Sequence, residues 1–263
     1  PSGSFKWQGK PITTVDHWHV GRAASFLAAR HDGYARLPDP VIHARSIISW
    51  DGSGWLILDR ATGEAAHVFK IRWRLPPGAL AVPAESGWTV SYPSDSRLHL
   101  FAAGHGETNQ WSWTQESASW SPAYGAFEGA SQLVFGNRSS LAAAVATVLS
   151  IGGGTARLKP FTQAGAGCFA YEWADSQGRR DLWFANQPGM WTSGSIESDA
   201  ALLIVALDAG GNLASVCVAS VSQLRIDGIA VIESAAALPW IEWSPADPAP
   251  GPRWNPELFT RLV

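Results

Sequence analysis

SIISWDGSGWLILDR, residues 46–60, carries two apolar, β-branched and aromatic runs around the insert DGSG at 51–54. A Gly-containing insert of this length between such runs closes an antiparallel hairpin. The same grammar returns in ALLIVALD (201–208), AGGN (209–212) and LASVCVASV (213–221). LRIDGIAVI (224–232) adds an Asp-Gly pair that suits a tight turn or a strand-end bend. Runs of this kind recur between Gly, Pro, Asp and Asn clusters, which predicts an all-β, antiparallel β-sandwich of two layers or several, with few or no helices. LAAAVATVL (141–149) stays ambiguous, because its alanines permit a helix while its valines and threonine favour a strand.

HVFKIRWRLPPG (67–78) poses a sharper question. With a period of two, Phe69, Ile71, Trp73 and Leu75 share one face and Lys70, Arg72 and Arg74 alternate with them. Like charges in a row on a sheet cost stability unless an anion compensates them. Arg97 and His99 of RLHLFAA extend the stripe if their strand is a neighbour. Two readings follow: a solvated face balanced by acids of adjacent strands, or a binding site for an acidic ligand such as a uronate polymer.

Composition sets the outer limits. Net charge is −3 over 263 residues, with 46% hydrophobic and 16% charged residues, so nothing in the overall balance points to nucleic acid as a partner and the profile is not that of a disordered chain. No apolar run is long enough to span a membrane, and PSGSFKWQGK has no apolar core of a signal peptide. Cys168 and Cys217 sit in strand-like apolar contexts and read as small buried hydrophobes rather than a disulfide. SIGGGTA (150–156) is the best internal boundary, dividing residues 1–150 from 151–263, the latter being further strands of the same sandwich or a small β subdomain with a Pro-rich, extended tail.

Other candidate chemistry is thinner. His17 and His19 share a strand face but lack further metal ligands by spacing. HDGYARL (31–37) groups His31, Asp32 and Tyr34, a set that suits either a general base or a turn with an anchoring Tyr. GHGETNQWSWTQESASWSPAYG (104–125) reads as a long polar and aromatic loop, placing Trp111, Trp113, Trp120 and Tyr124 as candidate sugar contacts and Glu107 or Glu116 as lone carboxylates.

Taken in order, PSGSFKW, HDGYARL, HARSIISW, LDRATGEAAHVFKIRWRLPPG, SPAYG and SSLAAAVATVL resemble the C-terminal β-sandwich region of the heparinase II/III family of polysaccharide lyases, from Pro1 to about Leu149. The resemblance implies an N-terminal α/α toroid as partner domain and an acidic polysaccharide as substrate. It also implies β-elimination, a base taking the C5 proton of a uronate while its carboxylate is neutralised. The family's catalytic and metal-binding motifs are placed by it upstream of PSGSFKW, so no catalytic or metal residue is carried over. A divalent metal, zinc, is expected only in a full-length protein, no cofactor in this chain, and a periplasmic or extracellular place of action. The substrate-binding candidates are Lys70, Arg72, Arg74, Trp111, Trp113 and Tyr124. A non-catalytic carbohydrate-binding or domain-packing sandwich is the alternative.

Overall fold

The computed structural model describes residues 10–262 other than 51, 53, 106–110, 152–155, 162–164 and 166. PSGSFKW, Glu107 and the three glycines after Ile151 therefore lie outside the described residues. Two compact units emerge, one of Pro1–Trp18 with Phe26–Gly153 and one of His19–Ser25 with Gly154–Val263. Among the described residues no helix is long and apolar enough to cross a membrane.

The strands that lie wholly or mainly in the first unit are β1 (Thr13–Val20), β2 (Ser25–Tyr34), β3 (Val41–Trp50), β4 (Gly54–Thr62), β5 (Ala66–Arg74), β6 (Leu80–Ala84), β7 (Gly87–Ser91), β8 (Arg97–His105), β9 (Ser112–Trp120), β10 (Glu128–Ser140) and β11 (Ala143–Ser150). Eight of them make one sheet in the order β1-β2-β3-β4-β11-β8-β7-β6, and β5-β10-β9 make a second. β3 and β4 form the hairpin expected of SIISWDGSGWLILDR, with Trp50 opposite Gly54 and Ile42 opposite Thr62.

β11 settles the ambiguous run as a strand. It lies between β4 and β8, where Ala146 faces Leu58 on one side and Ala103 on the other. Every residue from Ala143 to Val148 is buried, because a central strand covered on both faces has no solvent side to make polar. In the three-stranded sheet the alternation survives. Ile71, Leu133 and Phe135 are buried while Lys70, Arg72 and Arg74 are exposed. Burying such side chains contributes about 1.5–3 kcal/mol each.

β2 corrects a turn signal. Asp32 and Gly33 continue the strand to Tyr34, with the Asp32 carboxylate accepting from the Ile12 amide at 2.7 Å, and the turn follows at Ala35. The long loop expected over 104–125 is also corrected. β8 runs through His105, and β9 takes up Ser112–Trp120 by pairing with β10.

The second unit contains β12 (Arg157–Pro160), β13 (Cys168–Asp175), β14 (Gly178–Ala185), β15 (Trp191–Ser193), β16 (Ile196–Ser198), β17 (Leu202–Asp208), β18 (Leu213–Ile226), β19 (Ile229–Trp243) and the helix α1 (Pro256–Thr260). The sheet order is β12-β13-β14-β17-β18-β16-β15, with β19 also on β18. Asp227 and Gly228 join β18 to β19 with φ of 52° and 75°, the two positive angles a type I′ hairpin turn requires. The Pro-rich tail is not extended throughout. Asn255 caps α1 by accepting from the Glu257 amide at 3.0 Å, Pro256 opens the helix, and Trp254, Leu258 and Phe259 are buried in the unit's core. Cys168 and Cys217 are free and buried, and burial pushes their thiols up to about 11 and about 12.

Candidate functional site

A cleft of about 530 Å³ opens within the first unit. Its walls come from the end of β2 (His31, Tyr34), the start of β3 (His43, Arg45), the end of β4 (Asp59, Ala61) and six consecutive residues of β5, His67 to Arg72. Consecutive residues of a strand point to opposite faces, so six in a row line one cleft only along the strand's edge. β5 is the edge of its sheet, pairing with β10 alone among the described residues.

The far wall is a hydrogen-bonded chain set by strand register. Arg45 on β3 stands opposite Asp59 on β4, and His43 lies two residues from Arg45 on the same face. Arg45 donates to the Asp59 carboxylate through Nε at 2.8 Å and through a terminal nitrogen at 3.0 Å. His43 Nε2 lies 2.7 Å from Asp59 Oδ1, and His43 Nδ1 lies 2.9 Å from His31 Nε2. The Gly33 amide donates to His31 Nδ1 at 3.1 Å.

These contacts fix the tautomers in sequence. Because His31 Nδ1 accepts from Gly33, His31 carries its proton on Nε2 and donates to His43, which donates from Nε2 to Asp59. A second proton on His31, at Nδ1, would set that N–H against the Gly33 amide. Burial, chiefly, and then His43 lower the His31 pKa from its ordinary value; Asp32 opposes the shift and Arg45 adds to it. Asp59 itself is wholly buried. On the near wall His67 is spent on Asp39, whose carboxylate also accepts from the Ala65 amide at 3.3 Å.

The cations of β5 differ from one another. Lys70 Nζ lies 3.8 Å from Glu116 of β9, and Arg74 donates to the Ser119 carbonyl at 2.9 Å. Arg72 pairs with no acid among the described residues and lines the cleft together with Lys70. Arg97 and His99 do not extend the stripe. They sit on β8 in the other sheet, where β8 pairs with β7 and β11 and His99 Nδ1 meets the Thr89 hydroxyl at 3.1 Å.

Trp111 stacks on Phe135 with ring centroids 5.7 Å apart, and Trp113 tilts onto the same ring at 5.0 Å. Gly104 lets Trp111 in, since a Cβ there would lie 2.3 Å from the indole. Trp120 is exposed and Tyr124 strongly so, neither among the cleft residues. Of the six residues that the sequence offers for substrate contact, Lys70 and Arg72 line the cleft. His17 stacks on Phe26 in the first unit and His19 on Trp240 in the second. Sequence reasoning missed Arg45 and Asp59, although a signal existed: Asp59 ends the apolar run WLIL, and a buried acid needs a partner.

Residues 1–152 match a family model described as heparinase II/III-like, C-terminal. A comparison with curated proteins gave no match. Among solved structures, the heparan sulfate lyase HepC from Pedobacter heparinus superposes with a TM-score of 0.54 at 14% identity, covering 67% of this chain and 28% of that one. A heparinase III gene product gives 0.54 at 16% identity over 66% of this chain and 27% of its own, and a further heparinase III gives 0.53 at 10% over 66% and 27%. At these identities the likeness is one of fold, and the chain spans little more than a quarter of those proteins. The family match, covering more than half of the chain and the whole of the cleft, decides the assignment: this chain belongs to the heparinase II/III-like family and carries its C-terminal region.

Proposed function

We propose that the chain is the glycan-holding β-sandwich of a lyase acting on uronate-containing acidic polysaccharide. The observation that carries this reading is the cleft beside β5, where Arg72 and Lys70 offer positive charge and Arg72 has no acid partner among the described residues. Neutralising a uronate carboxylate makes its C5 proton easier to remove, so a cation aimed at that carboxylate contributes to β-elimination as well as to binding. In this reading the base and proton donor stand on an α/α toroid of the parent protein, with zinc if a metal takes part. The sandwich presents the polymer. The place of action is the periplasm or the exterior, where such polymers occur.

Migration of the chain through gels containing heparan sulfate, alginate, hyaluronan or a neutral glucan tests the reading. Heparan-type glycan comes first because it is named for the Pedobacter lyase. Retardation by at least one acidic polymer and not by the glucan is expected, with loss on the triple change Lys70→Glu, Arg72→Glu, Arg74→Glu. Equal migration of wild type and triple variant in every gel sinks the proposal. In the parent protein the same change is expected to slow appearance of the ultraviolet-absorbing unsaturated uronate product.

A further inference from the structure

Within the cleft the polar groups divide into spent and unspent. Arg45 is committed to Asp59 by two hydrogen bonds, His43 bridges Asp59 and His31, His31 takes the Gly33 amide, and His67 holds Asp39. Among the described residues, what remains is the Arg72 guanidinium, the Tyr34 hydroxyl, the Lys70 ammonium at 3.8 Å from its acid, and the open backbone edge of β5. Tyr34 is 48% exposed and meets His31 in a tilted contact, ring centroids 5.4 Å apart and planes at 54°.

We propose that this cleft is a subsite for a single anionic sugar unit, its oxyanion met by Arg72 and Lys70, its ring by Tyr34 and its hydroxyls by the free edge of β5. The inference rests on the glycan-holding reading and adds to its two cations a contact for the sugar ring and a backbone edge for the hydroxyls. About 530 Å³ falls inside the range of roughly 300–1,000 Å³ typical of small-ligand clefts. An edge strand offers unpaired N–H and C=O groups in alternation, a match for sugar hydroxyls that both donate and accept. A guanidinium fork fits a carboxylate or a sulfate through two parallel hydrogen bonds. The His31–His43–Asp59–Arg45 chain gives the opposite wall a fixed shape, because each of its members already has its partners. A neutral sugar would cover Arg72 without supplying an acceptor of opposite charge, which selects against it.

The test is calorimetric titration of the folded chain with three tetrasaccharides: an unsulfated glucuronate oligomer, a sulfated galactan oligomer and a neutral glucan oligomer. Binding of an anionic probe and not of the neutral one is expected, and the probe that binds tells carboxylate from sulfate. Arg72→Ala is expected to weaken binding about tenfold or more, the scale of a lost charge-assisted hydrogen bond. Arg72→Lys recovers part of the loss, because it keeps the charge without the fork. Tyr34→Ala weakens binding and Arg97→Ala, on the other sheet, leaves it unchanged. Full affinity in both Arg72→Ala and Tyr34→Ala overturns the subsite. If the triple charge reversal still abolishes polymer retardation in that case, the glycan-holding reading stands and only the pocket fails. Absence of both retardation and titration heat in the wild type overturns both.

Discussion

Each unit buries one carboxylate completely and grips it with an arginine through two hydrogen bonds. Asp59 on β4 meets Arg45, and Asp181 on β14 meets Arg179 through Nε at 2.8 Å and a terminal nitrogen at 2.7 Å. The pairs look alike and their surroundings do not. Around Asp181 lies a closed set of permanent charges: Glu172, nearly buried, takes Arg157 at 3.0 Å, Lys159 at 3.2 Å and Arg179 at 3.2 Å. Burial, the largest cause, raises the Asp181 pKa, Arg179 opposes it and Glu172 adds to it. Around Asp59 the third partner is an imidazole, which leads through a second imidazole to a cleft. A buried ion pair is by itself weak evidence of function. The difference lies in what hangs on the pair, fixed charge in one unit and titratable rings beside open space in the other.

The largest effect that separates the two is loss of the arginine. Arg179→Ala strands a wholly buried carboxylate beside Glu172, and unpaired buried charge costs about 3–5 kcal/mol. Arg45→Ala leaves His43 still donating to Asp59, so a cost of about 2 kcal/mol is expected, the scale of hydrogen bonds to a charged group. Urea unfolding of both variants near neutral pH reads the gap. The Arg179→Ala deficit should shrink as pH falls, because Asp181 neutralises itself by binding a proton. Equal losses would erase the distinction between a closed network and an adaptable one.

A smaller effect comes from pH alone. The His31 pKa is lowered on folding, chiefly by burial, so below its ordinary value of about 6.5 the unfolded chain binds more protons than the folded one. The His31 contribution to stability is complete above that value and is lost as pH falls toward and through the folded pKa. His19, lowered by burial in the second unit, acts in the same direction. Melting temperature should therefore drop between neutral and mildly acidic pH, and less steeply in His31→Gln. Identical slopes for the two proteins would remove His31 from the account.

The sequence made some of this legible and hid the rest for definite reasons. The hairpins around DGSG and AGGN and the period-two face of β5 were readable because turn chemistry and alternation are local. β11 was ambiguous because burial on both faces abolishes the very alternation that marks a strand. Trp111 and Trp113 read as candidate sugar contacts because the segment around them is polar, yet Phe135 of β10 lies opposite Trp113 and stacks on Trp111, contacts that sequence spacing does not announce. The stripe stopped at Arg74 for a similar reason, since Arg97 and His99 belong to another sheet. The His31–His43–Asp59 chain spans three strands and depends on register, which a single sequence leaves unspecified.

The smallest expected effect probes redundancy in the closed network. Lys159 is one of three cations on Glu172, its side chain half exposed, and Arg157 and Arg179 remain when it is removed. An exposed ion pair contributes about 0–1 kcal/mol, so Lys159→Ala should change the unfolding midpoint little. A loss as large as that of Arg179→Ala would mean that Glu172 depends on all three cations at once. The network around Asp181 would then be as finely balanced as the imidazole chain around Asp59, and fixed charge would no longer mark the closed unit off from the open one.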